Sequence, residues 1–84
     1  MVHVRVRLAG GLARLAAAPR LSIELTDDAT VADLCVALAE REPALAAALP
    51  RALTVVGAEQ AERSRTLASG EEVAFVIPVA GGAG

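Results

Sequence analysis

The sequence predicts an α+β fold in which a mixed sheet of four to five strands packs on one main helix. Three observations predict it. Apolar and polar residues alternate over residues 2–8 and 21–25, the period-two pattern of half-buried strands. Residues 31–38 carry a single apolar stripe at helical spacing. A last apolar run covers residues 73–79, just ahead of a glycine-rich end. With 84 residues the chain has room for one domain, and one amphipathic helix facing one sheet makes two layers around a single core.

The elements follow in order. In VHVRVRL, Val2, Val4, Val6 and Leu8 form the dry side and His3, Arg5 and Arg7 the wet side. Gly10-Gly11 breaks the strand, and Leu12, Leu15 and the alanines of 13–18 suggest a short helical turn or an ordered loop closed by Pro19. Leu21, Ile23 and Leu25 then alternate with Ser22 and Glu24, and a broad hairpin is the simplest link between the two strands. After a turn at 26–29, Thr30 reads as a helix N-cap with Asp33 completing a variant capping box. Val31, Leu34, Cys35 and Leu38 recur at i, i+3, i+4 and i+7, and Pro43 ends the helix. Residues 44–49 suggest a short helical turn before Pro50, residues 52–57 a third strand, and the polar stretch 58–66 a loop around a short fourth. Ser69-Gly70-Glu71-Glu72 forms a turn into the final strand, 73–79. The domain is therefore assigned to residues 1–79 and a flexible, glycine-rich tail to residues 80–84.

Composition narrows the function. The chain is 55% hydrophobic, too apolar for a disordered segment, but alanine supplies 20 positions and Phe75 is the only aromatic. The core must rest on Leu, Val and Ile. A net charge of −2 and the lack of stacking aromatics argue against a nucleic-acid binder. One cysteine forbids an internal disulfide, and one cysteine with one histidine is too little for a structural zinc site. No apolar run reaches membrane-spanning length, and the start lacks a signal peptide's long apolar stretch, so a cytoplasmic protein is expected. All eight cationic residues are arginines, so no side chain can accept an isopeptide bond.

Residues 67–82, LASGEEVAFVIPVAGG, carry the most specific pattern: a leucine, a turn with Ser69-Gly70-Glu71, an apolar strand, Pro78, the small residue Ala80, then Gly81-Gly82. Together with Ala29-Thr30-Val31-Ala32-Asp33-Leu34 at the helix start, this resembles the ubiquitin-like β-grasp sulfur carriers. These include the small subunit of molybdopterin synthase (MoaD-type) and the thiamine sulfur carrier (ThiS-type). The resemblance covers nearly the whole chain. The segment LAGGLARL at 8–15 is similar to the molybdopterin-type loop and longer than the thiamine-type connection. Two departures stand out. Val55-Val56-Gly57 replaces the frequent Val-Asn-Gly, and the chain runs on past Gly82 through Ala83-Gly84. A minority of similar carriers are made with a short extension that a metalloprotease removes, and such processing is expected here, with direct use of Gly84 as the alternative.

The resemblance implies that the chain terminus is the reactive group. An adenylating enzyme would activate the carboxylate of Gly82 with ATP and Mg, a sulfurtransferase or other sulfur donor would convert it to a thiocarboxylate, and a molybdopterin synthase large subunit would receive the tail. The chain would be a sulfur-carrying subunit with no cofactor of its own and no catalyst alone. Molybdopterin biosynthesis is the leading destination for the sulfur; thiamine, cysteine or secondary-metabolite supply, a protein modifier and a non-catalytic interaction module are the alternatives. Glycines fit the task physically: Gly81 and Gly82 present no side chain to a narrow tunnel and reach extended and left-handed conformations alike.

The final strand suggests where docking occurs. Both of its faces are apolar, with Val73, Phe75, Ile77 and Val79 against Ala74, Val76 and Pro78. Phe75 belongs under the helix. Ala74, Val76, Pro78, Val79 and Ala80 are then candidate partner contacts beside the tail, unless another strand or loop covers them. Arg14 joins them because similar carriers use its loop near the adenylating enzyme. Other features carry less. Cys35 on the apolar stripe reads as a buried, inert thiol. His3 lies on a wet face without a second ligand. Gly10-Gly11 lacks the spacing and the Lys-Ser/Thr of a phosphate loop. Arg63 and Arg65 belong to a solvated loop, with steering of an acidic partner as the lesser reading. Glu71-Glu72 has no second carboxylate for acid–base work.

Overall fold

The computed structural model describes residues 1–16 and 18–77. Five strands and one α-helix follow one another: β1 (Val2–Gly10), β2 (Arg20–Leu25), α1 (Val31–Arg41), β3 (Leu53–Val56), β4 (Glu59–Gln60) and β5 (Glu72–Ile77). Short 3-10 turns occupy Gly11–Arg14, Pro43–Leu45 and Leu49–Arg51. The strands form one mixed sheet in the order β2-β1-β5-β3-β4. β1 runs antiparallel to β2 and parallel to β5, while β3 runs antiparallel to both β5 and β4.

The hairpin of β1 and β2 is in the register the alternation demands, with Val4 opposite Ile23 and Val6 opposite Leu21. A slip by one residue would turn every valine of β1 to water. The capping box of α1 is complete. The Thr30 amide donates to Asp33 Oδ2 at 2.9 Å, and the Asp33 amide donates to Thr30 Oγ1 at 3.3 Å. The two remaining early amides find partners across the chain: Val31 donates to the Arg65 carbonyl at 3.0 Å and Ala32 to that of Arg63 at 2.9 Å. Loop 63–66 thus does for the helix start what water would otherwise do. Val31, Leu34, Cys35 and Leu38 are all buried, facing Val4, Val6, Val73 and Phe75 of the core cluster. Phe75 is fully covered, as its being the only aromatic led one to expect.

Several boundaries differ from the expected ones by a residue or two. β1 continues to Gly10, because Gly10 adopts a φ of +62° and keeps pairing with Ile77. β3 begins at Leu53, because the 3-10 turn Leu49–Arg51 is closed by the Ala52 amide donating to the Leu49 carbonyl at 3.0 Å. β5 begins one residue early, at Glu72, opposite Arg5. The loop after β4 is also held more firmly than a solvated loop would be. The partly buried Arg63 donates to the Leu49 carbonyl at 2.9 Å and to Cys35 Sγ at 3.3 Å, tying together the loop, α1 and the segment before β3. Arg65 pairs with Glu71 through two contacts of 3.2 and 3.1 Å. These internal partners correct the reading of Arg63 as a solvated or steering group, whereas Arg65 stays exposed while paired with Glu71.

Candidate functional site

β5 is the middle strand of the sheet, so the chain leaves the domain from the sheet's centre. Its last described residue, Ile77, lies opposite Gly10. The 3-10 turn Gly11–Arg14 packs against β5, and Arg14 at its far end is exposed. Pro78, Val79, Ala80, Gly81, Gly82 and the extension Ala83-Gly84 lie outside the described residues, as does the expected boundary at 79/80.

The pleat sorts the neighbouring side chains. Val73 and Phe75 turn inward, and Ala74 and Val76 turn to the outer face, where both are half-buried. Register places Leu53 opposite Val76 and Val55 opposite Ala74 on one flank. On the other flank Ala9 stands opposite Val76 and Arg7 opposite Ala74. The outer face around the exit is therefore an apolar strip of Ala9, Val76, Leu53, Ala74 and Val55, with Leu53 44% exposed. An exposed apolar strip of this kind is a candidate partner surface.

No local sequence pattern marks Leu53, Val55 or Ala9 as partner contacts. In LTVV the polar residue is the inward one: Thr54 is 3% exposed and Leu53 faces solvent, the reverse of what hydropathy suggests. Only the pairing with β5 assigns the faces.

The turn feeding β5 is electrostatically locked. Glu71 accepts from Arg65 and, at 2.7 Å, from the Ala68 amide, and these contacts hold its carboxyl below the ordinary glutamate range. Burial pushes the Cys35 thiol above its ordinary value, with the nearby Arg63 charge pulling the other way. A thiol so placed is a poor nucleophile. His3 donates its amide to Ser69 Oγ at 3.0 Å, and its Nε2 lies 3.0 Å from Glu24. Among the described residues no three His, Cys, Asp or Glu side chains are grouped to hold a metal ion, and no helix is long and apolar enough to cross a membrane.

The comparisons with known proteins agree with this fold. A family model described as the ThiS family matches residues 6–82. The crystal structure of H. volcanii small archaeal modifier protein 1 superposes with a TM-score of 0.86 at 26% identity, covering 94% of this chain and 100% of that one. A Pyrococcus furiosus molybdopterin converting factor, subunit 1, superposes with a TM-score of 0.84 at 22% identity, covering 94% and 100%. The complex of subunits 1 and 2 of the molybdopterin-converting factor from Helicobacter pylori contains a chain that superposes with a TM-score of 0.70 at 17% identity, covering 95% and 99%. At those identities the last two show the fold alone. No curated protein matches the chain in sequence.

Proposed function

The chain belongs to the ThiS family, among the ubiquitin-like sulfur carriers and modifiers of β-grasp fold, and on that premise we propose that it carries sulfur as a thiocarboxylate on Gly82. The observation that carries the reading is the extent of the family match, which ends on Gly82 and leaves Ala83-Gly84 beyond it. In this reading a metalloprotease removes those two residues. The freed carboxylate attacks the α-phosphate of ATP in an adenylating partner that supplies the Mg, and pyrophosphate leaves. A sulfurtransferase or other donor then displaces AMP.

The domain contributes positioning. The apolar strip of Leu53, Val55, Ala74 and Val76 seats the partner, and Pro78, Val79 and Ala80 continue the contact along the tail toward its active site. Arg14, exposed at the far end of the turn that packs against β5, faces the same partner. Removing Leu53 and its neighbours from water offsets the ordering of a glycine tail, which costs about 1–2 kcal/mol per residue fixed. The acceptor is a large subunit of the molybdopterin synthase type. The Helicobacter pylori complex, in which a chain of this fold stands with a second subunit, supports that choice.

A second reading, a protein modifier joined through Gly82 to lysines of other proteins, is favoured by the likeness to the small archaeal modifier protein. It shares the adenylated terminus. With no lysine of its own, the chain would be attached singly and not as a polymer of itself.

The deciding experiment is intact mass spectrometry of a chain ending at Gly82 after incubation with ATP, a cognate activating enzyme and a sulfur donor. Replacement of one terminal oxygen by sulfur is expected. A terminus that stays a carboxylate under conditions that adenylate it defeats the carrier reading. Adducts of higher mass in cells that vanish on deletion of Gly82 favour the modifier.

A further inference from the structure

We propose that the outer face of β1 and β2 is a docking strip for an acidic segment of a partner protein, with Arg5, Arg7 and Arg20 as its cationic contacts. Three of the eight arginines project from this one face. Arg7 and Arg20 stand directly opposite each other across the antiparallel pair. Directly opposed like charges in a sheet oppose folding.

Farther down the same face, the sheet shows what a folding-driven pair looks like. His3 is opposite Glu24, and their side chains meet at 3.0 Å. At Arg7 and Arg20 the repulsive pair is kept instead. Among the described residues, none of Arg5, Arg7 and Arg20 makes a side-chain hydrogen bond or ion pair. Glu72 is next to Arg5 in register but does not pair with it. All three arginines are exposed.

The strip also has a shape. One open groove is lined by Arg5, Arg20, Ser22 and Glu72, a second by His3, Arg5, Ser22 and Ser69, and the two meet at Arg5 and Ser22. At its upper end Arg7 neighbours Ala74, so the strip runs on into the apolar patch.

An extended peptide repeats its side chains on one side about every 7 Å, which is also the spacing of Arg5 and Arg7 along β1. Carboxylates at alternate positions of such a peptide therefore meet successive arginines. A nucleic acid fits less well. The chain's only aromatic, Phe75, is buried, so this face offers no ring for a base to stack on. The inference rests on the docking reading above only for which protein supplies the segment.

The test uses the full isotope-labelled chain, titrated with a peptide of alternating glutamate and serine and followed by amide chemical shifts. The matching lysine-serine peptide and an oligothymidylate of similar length are the comparison ligands. Shifts at Arg5, Arg7, Arg20 and Ser22 are expected, with affinity falling several-fold as ionic strength rises to about 0.5 M. A variant with Arg7→Gln and Arg20→Gln should bind the acidic peptide at least about tenfold more weakly, while its Tm rises by about 1–5 °C because the repulsion is gone.

Shifts elsewhere, unchanged affinity in the variant, equal binding of the lysine peptide, or a lower Tm each overturn the proposal. Tighter binding of the oligothymidylate overturns it in favour of a nucleic-acid surface. No activating enzyme is present, so this result stands apart from that of thiocarboxylate formation.

Discussion

Gly10 lies opposite Ile77 in the parallel β1–β5 pair, and a Cβ built on Gly10 would overlap the Ile77 carbonyl oxygen. Gly10 also has a φ of +62°. Two independent constraints therefore demand glycine opposite the last described residue of β5: a left-handed backbone and a close backbone approach.

Gly57 separates the two. Its φ is +63°, but nothing lies within 4 Å of a Cβ built there. Gly57→Ala should cost about 1 kcal/mol, the conformational part alone. Gly10→Ala should cost about 2–4 kcal/mol, because the Ile77 backbone must also move. Denaturant titration of both variants checks the difference, and equal costs would mean that the strand end gives way easily.

Glu71 makes stability depend on pH. Its folded-state carboxyl titrates below the ordinary glutamate value, held there first by the Arg65 hydrogen bonds and then by the Ala68 amide. The stabilisation is therefore full above the ordinary value of about 4.3 and is lost as pH falls through the lowered folded value. Glu71→Gln should lower Tm by less than about 5 °C at neutral pH, because Arg65 is 40% exposed and screened by solvent. The difference from the parent chain should shrink to nothing in acid. Melting curves from pH 7 down to about 3 read this directly.

Cys35 should label slowly. It is 8% exposed, its thiol is raised by burial, and Arg63 covers its sulfur at 3.3 Å. At pH about 8 the native chain should react with iodoacetamide at least about tenfold more slowly than the unfolded chain. Arg63→Met removes the donor to the Leu49 carbonyl as well, and should cost about 1–3 kcal/mol while speeding labelling. Native labelling as fast as unfolded would show an accessible thiol.

Leu53 separates docking from folding. Its exposed side chain adds little to the core, so Leu53→Glu should leave Tm within about 3 °C of the parent. If the apolar strip seats the partner, the same change should weaken binding to the activating enzyme by about tenfold or more, the loss expected from placing a charge in a dry contact. Calorimetric titration with that enzyme provides the measurement, and unchanged affinity would move the docking surface away from this face.

Gly82→Val tests the terminus. In a chain ending at that position, the substitution should leave the melting curve unchanged and abolish thiocarboxylate formation, since a branched side chain is placed beside the reacting carbonyl. Mass spectrometry and thermal unfolding of one sample give both readouts. Full conversion of the variant would show that the tunnel tolerates bulk.

Much of the architecture is legible in the residues because it rests on local rules. Val2, Val4, Val6 and Leu8 alternate, Thr30 and Asp33 cap, and Val31, Leu34, Cys35 and Leu38 share a helix face; each needs only its near neighbours to be recognised. The terminal Gly81-Gly82 pattern is legible for the same reason. Pairing partners are not local. That Leu53 lies beside Val76, that Arg7 faces Arg20, and that Arg63 reaches Cys35 and Leu49 depend on contacts between residues 13 to 28 apart.

By itself the sequence determined the element order, the buried stripe of α1, the covered Phe75 and the family to which the ending points. Only the tertiary structure decided which side of β3 faces water, that Gly10 must be glycine, and that two arginines oppose each other on the outer face. The physical reason is that hydropathy and capping act over one or two turns of chain. Register, close backbone approach and cross-strand charge are settled when distant strands meet.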